Sequence, residues 1–82
     1  MEAATPKAAG VLSRGDKGPE VEELQQRLRQ LYLYMDDPDG TYDTPLADAV
    51  TLFQYARGTR EDGEGVYGKE TREALEKETR EP

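Results

Sequence analysis

Between Val11 and Leu75 the apolar positions fall into three clusters separated by Gly- and Asp-rich stretches. In the first, Val21, Leu24, Leu28 and Leu31 follow at intervals of three, four and three, so they share one face of a helix. Gly18-Pro19 should open that helix, because proline loses nothing at a first helical position whose N–H has no partner anyway. Glu20, Glu22 and Glu23 then place negative charge at the positive end of the helix dipole. Gln25, Gln26, Arg27 and Arg29 are expected on the other sides. The second cluster, Leu46, Ala49, Val50 and Phe53, repeats at i, i+3, i+4 and i+7. Thr44-Pro45 should start its helix, with the Thr44 hydroxyl as N-cap, and Gly58 should stop it. A third, shorter helix is expected over about 69–77, turning Thr71, Ala74 and Leu75 inward, and it depends on tertiary packing.

The connections carry a second pattern. Asp39-Gly40-Thr41-Tyr42 precedes the second helix and Glu64-Gly65-Val66-Tyr67-Gly68 precedes the third. In each, an acidic residue and a Gly make a tight turn, and an aromatic two residues later folds back onto the core. The expected architecture is all-α: a small closed three-helix bundle with two equivalent Asp/Glu-Gly corners. Residues 1–10, rich in Ala with Pro and Gly, read as a disordered linker, 11–78 as the domain, and 79–82 as a disordered polar tail. The linker-like start suggests a segment of a larger protein.

Composition narrows the function classes. The 82 residues hold 18 acidic and 11 basic side chains, a net charge of −7, with no run of Lys or Arg. Phosphate neutralisation needs a basic face, so nucleic acid is set aside, and adsorption to an anionic membrane is disfavoured for the same reason. No apolar stretch approaches the roughly 20 residues of a membrane span. No signal peptide is visible, and the absence of Cys fits an exported or a cytoplasmic protein equally.

With neither His nor Cys, most general-base, thiol and zinc chemistry is removed. Ser13 is the only serine and has no base nearby in the sequence. A pair of carboxylates could hydrolyse a glycoside, but a shallow bundle of this size rarely encloses one well enough to raise its pKa. The acidic run Asp36-Asp37-Pro38-Asp39-Gly40 fails as a calcium loop: with Gly40 at position 6, Met35 stands at position 1 and Leu46 at position 12, where carboxylates are needed. The expectation is no enzyme, no metal and no cofactor.

The run Gly15-Asp16-Lys17-Gly18, followed by Val21-Glu22-Glu23-Leu24-Gln25-Gln26-Arg27-Leu28, resembles the opening of peptidoglycan-binding type 1 domains, a Gly-Asp-x-Gly turn and then Val-x-x-Leu-Gln-x-x-Leu. Asp39-Gly40-Thr41-Tyr42 with Ala49-Val50-Thr51-Leu52-Phe53-Gln54 is similar to that family's Asp-Gly-x-Phe and Ala-Val-x-x-Phe-Gln. Gly65-Val66-Tyr67-Gly68-Lys69-Glu70-Thr71 is similar to its last turn. The resemblance covers about residues 12–76. Departures fall in the loops: Tyr32 stands where the family places Gly, so either the first helix runs on or Tyr32 caps it under strain. Asp43, Leu46 and Thr59 also differ, and either Asp62-Gly63 or Glu64-Gly65 can fill the last acidic-Gly slot.

The resemblance implies a non-catalytic module, a monomer, that holds peptidoglycan fragments (stem peptide or glycan) and targets an attached protein to the bacterial cell wall, outside the cytoplasm. A divergent copy acting in protein–protein interaction or regulation is the alternative, and a cytoplasmic location stays open with it. Among the aromatics, Phe53 belongs to the core, and Tyr42 and Tyr67 are expected there with exposed hydroxyls. Tyr32, Tyr34 and Tyr55 are less explained by the core, and exposed rings stack on sugars. The residues expected to contact a ligand are Tyr34, Asp39, Tyr42, Tyr55, Arg57 and Tyr67. The helical face also makes a stability prediction: Leu28→Ala should cost about 2–5 kcal/mol, and an unmoved thermal midpoint would place Leu28 outside the core.

Overall fold

Pro19 and Pro45 both lie in the first turn of a helix, as their fixed φ and missing N–H favour. In the computed structural model, which describes residues 11–82, the helices are α1 (Pro19–Gln30), α2 (Thr44–Arg57) and α3 (Lys69–Glu78). The linker expected over residues 1–10 lies outside the described residues. The cap of α2 differs from expectation. Asp43, not Thr44, is the N-cap, and its carboxylate accepts from the Leu46 N–H at 3.1 Å. Thr44 has already entered the helix, and the ionised Asp43 is the stronger acceptor at a positive helix end. Gly58 closes α2 in the left-handed conformation, as expected.

The periodic face of α1 packs against both α2 and α3. Val21, Leu24, Leu28, Leu46, Val50, Phe53 and Leu75 are all at most 1% exposed and form the centre of the core. Tyr34, Tyr42, Tyr67 and Leu12 close over it. Two residues expected on the solvated side of α1 are buried instead: Gln25 is 0% exposed and Arg27 7%. The apolar stem of Arg27 packs inward while its guanidinium is met by Glu23 Oε2 at 2.9 Å and the Thr79 hydroxyl at 2.8 Å. The polar tail expected to fray is therefore tied down at its start. Gln30 reinforces this, donating to the Arg80 carbonyl at 2.7 Å and accepting from its N–H at 2.9 Å.

Among the described residues no strand forms. The segment before α1 nevertheless joins both corners. Leu12 exchanges a pair of backbone hydrogen bonds with Tyr67, at 3.0 and 2.9 Å. Gly15 N–H donates to the Tyr42 carbonyl, and Tyr42 N–H to that of Asp16.

Beyond Gln30 the chain turns through Leu31 and Tyr32. Tyr32 N–H donates to Arg29 and Leu33 N–H to Leu28, the paired bonds of a Schellman cap. Tyr32 occupies the left-handed position with φ 62°, so of the two alternatives the strained cap is the observed one. Its ring is 79% exposed, so burial does little to offset the strain. Tyr32→Gly should raise stability by about 1 kcal/mol in denaturant unfolding; a loss instead would mean that the ring makes stabilising contacts.

Candidate functional site

Each acidic-Gly corner is held by the side-chain amide of a glutamine shut off from solvent. Gln25 Nε2 donates to Tyr34 Oη and Asp39 Oδ1 at 3.0 Å and to the Thr41 carbonyl at 3.2 Å, and Oε1 accepts from the Gly40 N–H at 2.8 Å. Gln54 repeats the arrangement at the second corner. Its Nε2 donates to the Gly63 and Val66 carbonyls at 3.0 Å and to the Thr71 hydroxyl at 3.1 Å, while Oε1 accepts from the Gly65 N–H at 2.9 Å. Gly40 and Gly65, with φ 77° and 76°, are thus equivalent, and Glu64-Gly65 fills the slot that two pairs could have filled. Asp62 instead serves α3, which it caps by accepting from the Thr71 N–H at 2.7 Å through its carboxylate. Hydrogen bonds from Gln25 and from the Thr41 N–H hold the Asp39 carboxyl below its ordinary range.

The second corner packs so tightly on α2 that a Cβ on Gly65 would lie 3.3 Å from Thr51 Oγ1 and 3.7 Å from the Ala47 carbonyl. Alongside this contact runs an open groove of about 550 Å³, lined by Ser13, Arg14, Ala47, Asp48, Thr51, Glu64, Gly65 and Val66. Ala47 and Thr51 are one turn apart on α2, and Thr51 turns its hydroxyl back onto the Ala47 carbonyl at 2.9 Å. The Tyr42 hydroxyl donates to the Gly65 carbonyl at 2.7 Å and links the two corners. At Glu64 the groove meets a pocket of about 250 Å³ lined by Gln54, Tyr55, Thr59, Arg60, Gly63 and Glu64. The Tyr55 hydroxyl donates to the Glu64 carboxylate, which raises the phenol's pKa. Thr59 is 7% exposed and its hydroxyl has no partner, a state that costs about 1–3 kcal/mol. The Asp48 and Glu64 carboxylates, the Arg14 guanidinium and the apolar side chains of Ala47 and Val66 thus line one groove.

The sequence profile of the family described as "Putative peptidoglycan binding domain" matches residues 17–75, most of the chain. The chain belongs to this peptidoglycan-binding family. Its structure is also similar to that reported as the crystal structure of the SleB N-terminal domain, with a TM-score of 0.80 and 33% identity over 89% of this chain and 97% of that one. No curated protein sequence matches. The family is one of binding modules, and the chain is such a module. No helix among the described residues is long and apolar enough to cross a membrane, and their Asp and Glu side chains form no group that could hold a metal.

The residues singled out from the sequence do not converge on one site in this peptidoglycan-binding domain. Tyr55 is exposed on the groove side of α2. Tyr34, Tyr42 and Tyr67 are at most 3% exposed. The Tyr42 hydroxyl, expected at the surface, is spent on Gly65, and that of Tyr34 on Gln25 and the Asp37 carbonyl. Asp39 is exposed but faces its own corner. Arg57, two residues from Tyr55 and so on the far side of the helix, is paired with Glu78 and lies 5.0 Å from the Phe53 ring centre. The groove residues Asp48, Thr51, Arg14 and Glu64 were not among those expected. The signal for the first two was the flank of α2 two turns and one turn before Tyr55, polar residues beside an apolar face.

Burial pushes the Tyr67 phenol up to about 12 and moves Tyr42 in the same direction. A phenol kept neutral by the fold adds stability that is complete below its ordinary value of 10.0 and is lost as pH rises through the folded value. Stability should therefore fall above pH 10. Tyr42→Phe should lose about 1–2 kcal/mol near neutrality, with its hydrogen bond, yet decline less steeply in alkali. Denaturant unfolding at neutral and alkaline pH measures both, and an unchanged alkaline slope would remove Tyr42 from this account.

Proposed function

We propose that the groove beside α2 is where this domain holds peptidoglycan, and that the domain thereby carries an attached protein to the cell wall, outside the cytoplasm. The observation that carries this reading is a preformed groove between the family's motif-bearing helix and its last turn. Thr51 and Gln54 come from the Ala-Val-x-x-Phe-Gln helix, and Gly65 and Val66 from the last turn. Arg14, Asp48 and Glu64 all line the groove, so a stem peptide with ends of both signs finds partners. Tyr55 supplies a ring for a sugar face. Of the residues expected from the sequence, Tyr55 is the direct contact in this reading. Tyr42 acts from beneath by holding the Gly65 carbonyl. Binding of this kind raises the local concentration of whatever the module is attached to, without chemistry of its own.

A protein partner is the second reading. It is favoured by the exposed Tyr32 and Met35, at 79% and 70%, after α1.

An amide-shift titration of the labelled chain with soluble muropeptides tests the first reading. Shifts should gather at Thr51, Tyr55 and Gly65 and spare Tyr34 and Arg57. Asp48→Arg, which fills the groove from an exposed position on α2, should weaken binding about tenfold or more with the thermal midpoint kept. Shifts confined to the Tyr32–Met35 side, or none with any fragment or with intact sacculi, would sink it.

A further inference from the structure

The pocket at the Glu64 end of the groove holds more specific chemistry than the groove itself. Thr59 lines it, and among the described residues its hydroxyl is the buried side-chain polar atom left without a partner. Glu64 and Arg60 bring opposite charges to the same 250 Å³. Tyr55 donates to Glu64 at Oε2, and a carboxylate can accept at both oxygens, so Glu64 keeps capacity for a second donor. Tyr55, Arg60 and Glu64 line this one pocket. The walls are fixed before any ligand arrives: Gln54 ties Gly63, Val66 and Gly65, and Glu61 N–H is held by Glu70 at 2.9 Å.

A neutral sugar hydroxyl would draw on neither full charge. A lone ammonium would use only Glu64, and a lone carboxylate only Arg60. We infer that this pocket takes an amino-acid head, ammonium and carboxylate on one carbon, such as the free end of a diaminopimelate side chain in a stem peptide. This rests on the wall-binding reading and deepens it. Glu64 receives the ammonium, Arg60 pairs with the carboxylate through its planar fork, and the Thr59 hydroxyl gains the partner it lacks. The pocket then distinguishes stem peptides by their third residue, because a lysine there ends in an ammonium alone.

The test uses two soluble muramyl tripeptides identical except for that residue, diaminopimelate in one and lysine in the other. Each is titrated into the labelled 82-residue chain and into Arg60→Met and Thr59→Val. The diaminopimelate peptide should shift the amides around Tyr55, Thr59 and Glu64 and bind about tenfold more tightly, the scale of one charge-assisted contact. Arg60→Met should bring its affinity down to that of the lysine peptide and leave the lysine peptide unaffected, with the thermal midpoint unmoved. Thr59→Val should raise the thermal midpoint, since it removes an unpaired hydroxyl, and still weaken the diaminopimelate peptide. Equal affinities for the two peptides, or a preference that survives Arg60→Met, overturn the pocket's assignment and leave wall binding standing. Failure of both peptides and of intact sacculi to bind overturns wall binding along with it.

Discussion

A chain that places three short helices around a core leaves much of its backbone in connections, and those N–H and C=O groups need partners once water is excluded. Here a side-chain amide on each of α1 and α2 supplies them. Gln25 and Gln54 are nearly inaccessible, and each binds both a glycine N–H and one or more carbonyls of the loop it faces. Remove either amide and several groups shielded at least in part lose their partners at once, a larger penalty than one missing surface bond. Everything downstream of the helices follows from this. The corners stay where Tyr42 can join them, the segment before α1 can pair with both, and the flank of α2 is left with an open groove beside Gly65.

The helices were legible because their apolar residues repeat with the helical period and their ends carry Pro and Gly. The corners were legible as an acidic residue, a Gly and an aromatic at fixed offsets. What holds the corners was not. Gln25 sits next to Gln26 and Arg27, and in a hydropathy pattern three polar residues in a row read as a solvated side. Only the loop that folds over α1, brought there by the tertiary structure, makes Gln25 a core residue. Asp43 lost to Thr44 as expected cap for a related reason, since both residue types cap helices and the backbone alone decides which stands at the boundary.

The groove was half legible. An aromatic that no apolar stripe explains pointed to Tyr55, but the same reasoning included Tyr34, whose ring is claimed by the core. Exposure of an aromatic in a loop is set by contacts distant in sequence, which the local pattern does not carry. Arg57 shows the opposite case. Its partner Glu78 lies on another helix and its stacking partner Phe53 one turn back, so a basic residue that read as free for a ligand is spent on joining α2 to α3. Tyr32 could be read as an anomaly from its place alone, and the left-handed geometry accounts for it without extending α1.

The bond from the Tyr42 hydroxyl to the Gly65 carbonyl, together with the grip of Gln54, has a consequence for how fast the module can work. Loops that recognise ligands often surrender conformational entropy on binding, and that loss slows or weakens the encounter. This floor has already surrendered it during folding. Under the proposed reading, a fragment of wall arriving there would meet a surface with little left to order, so its arrival and departure would need no rearrangement of the protein. On a polymer that offers the same chemical unit again and again, a rigid and shallow grip favours frequent release and recapture over long residence. Under that reading, whatever the module carries would sweep along the wall instead of being fixed at one point.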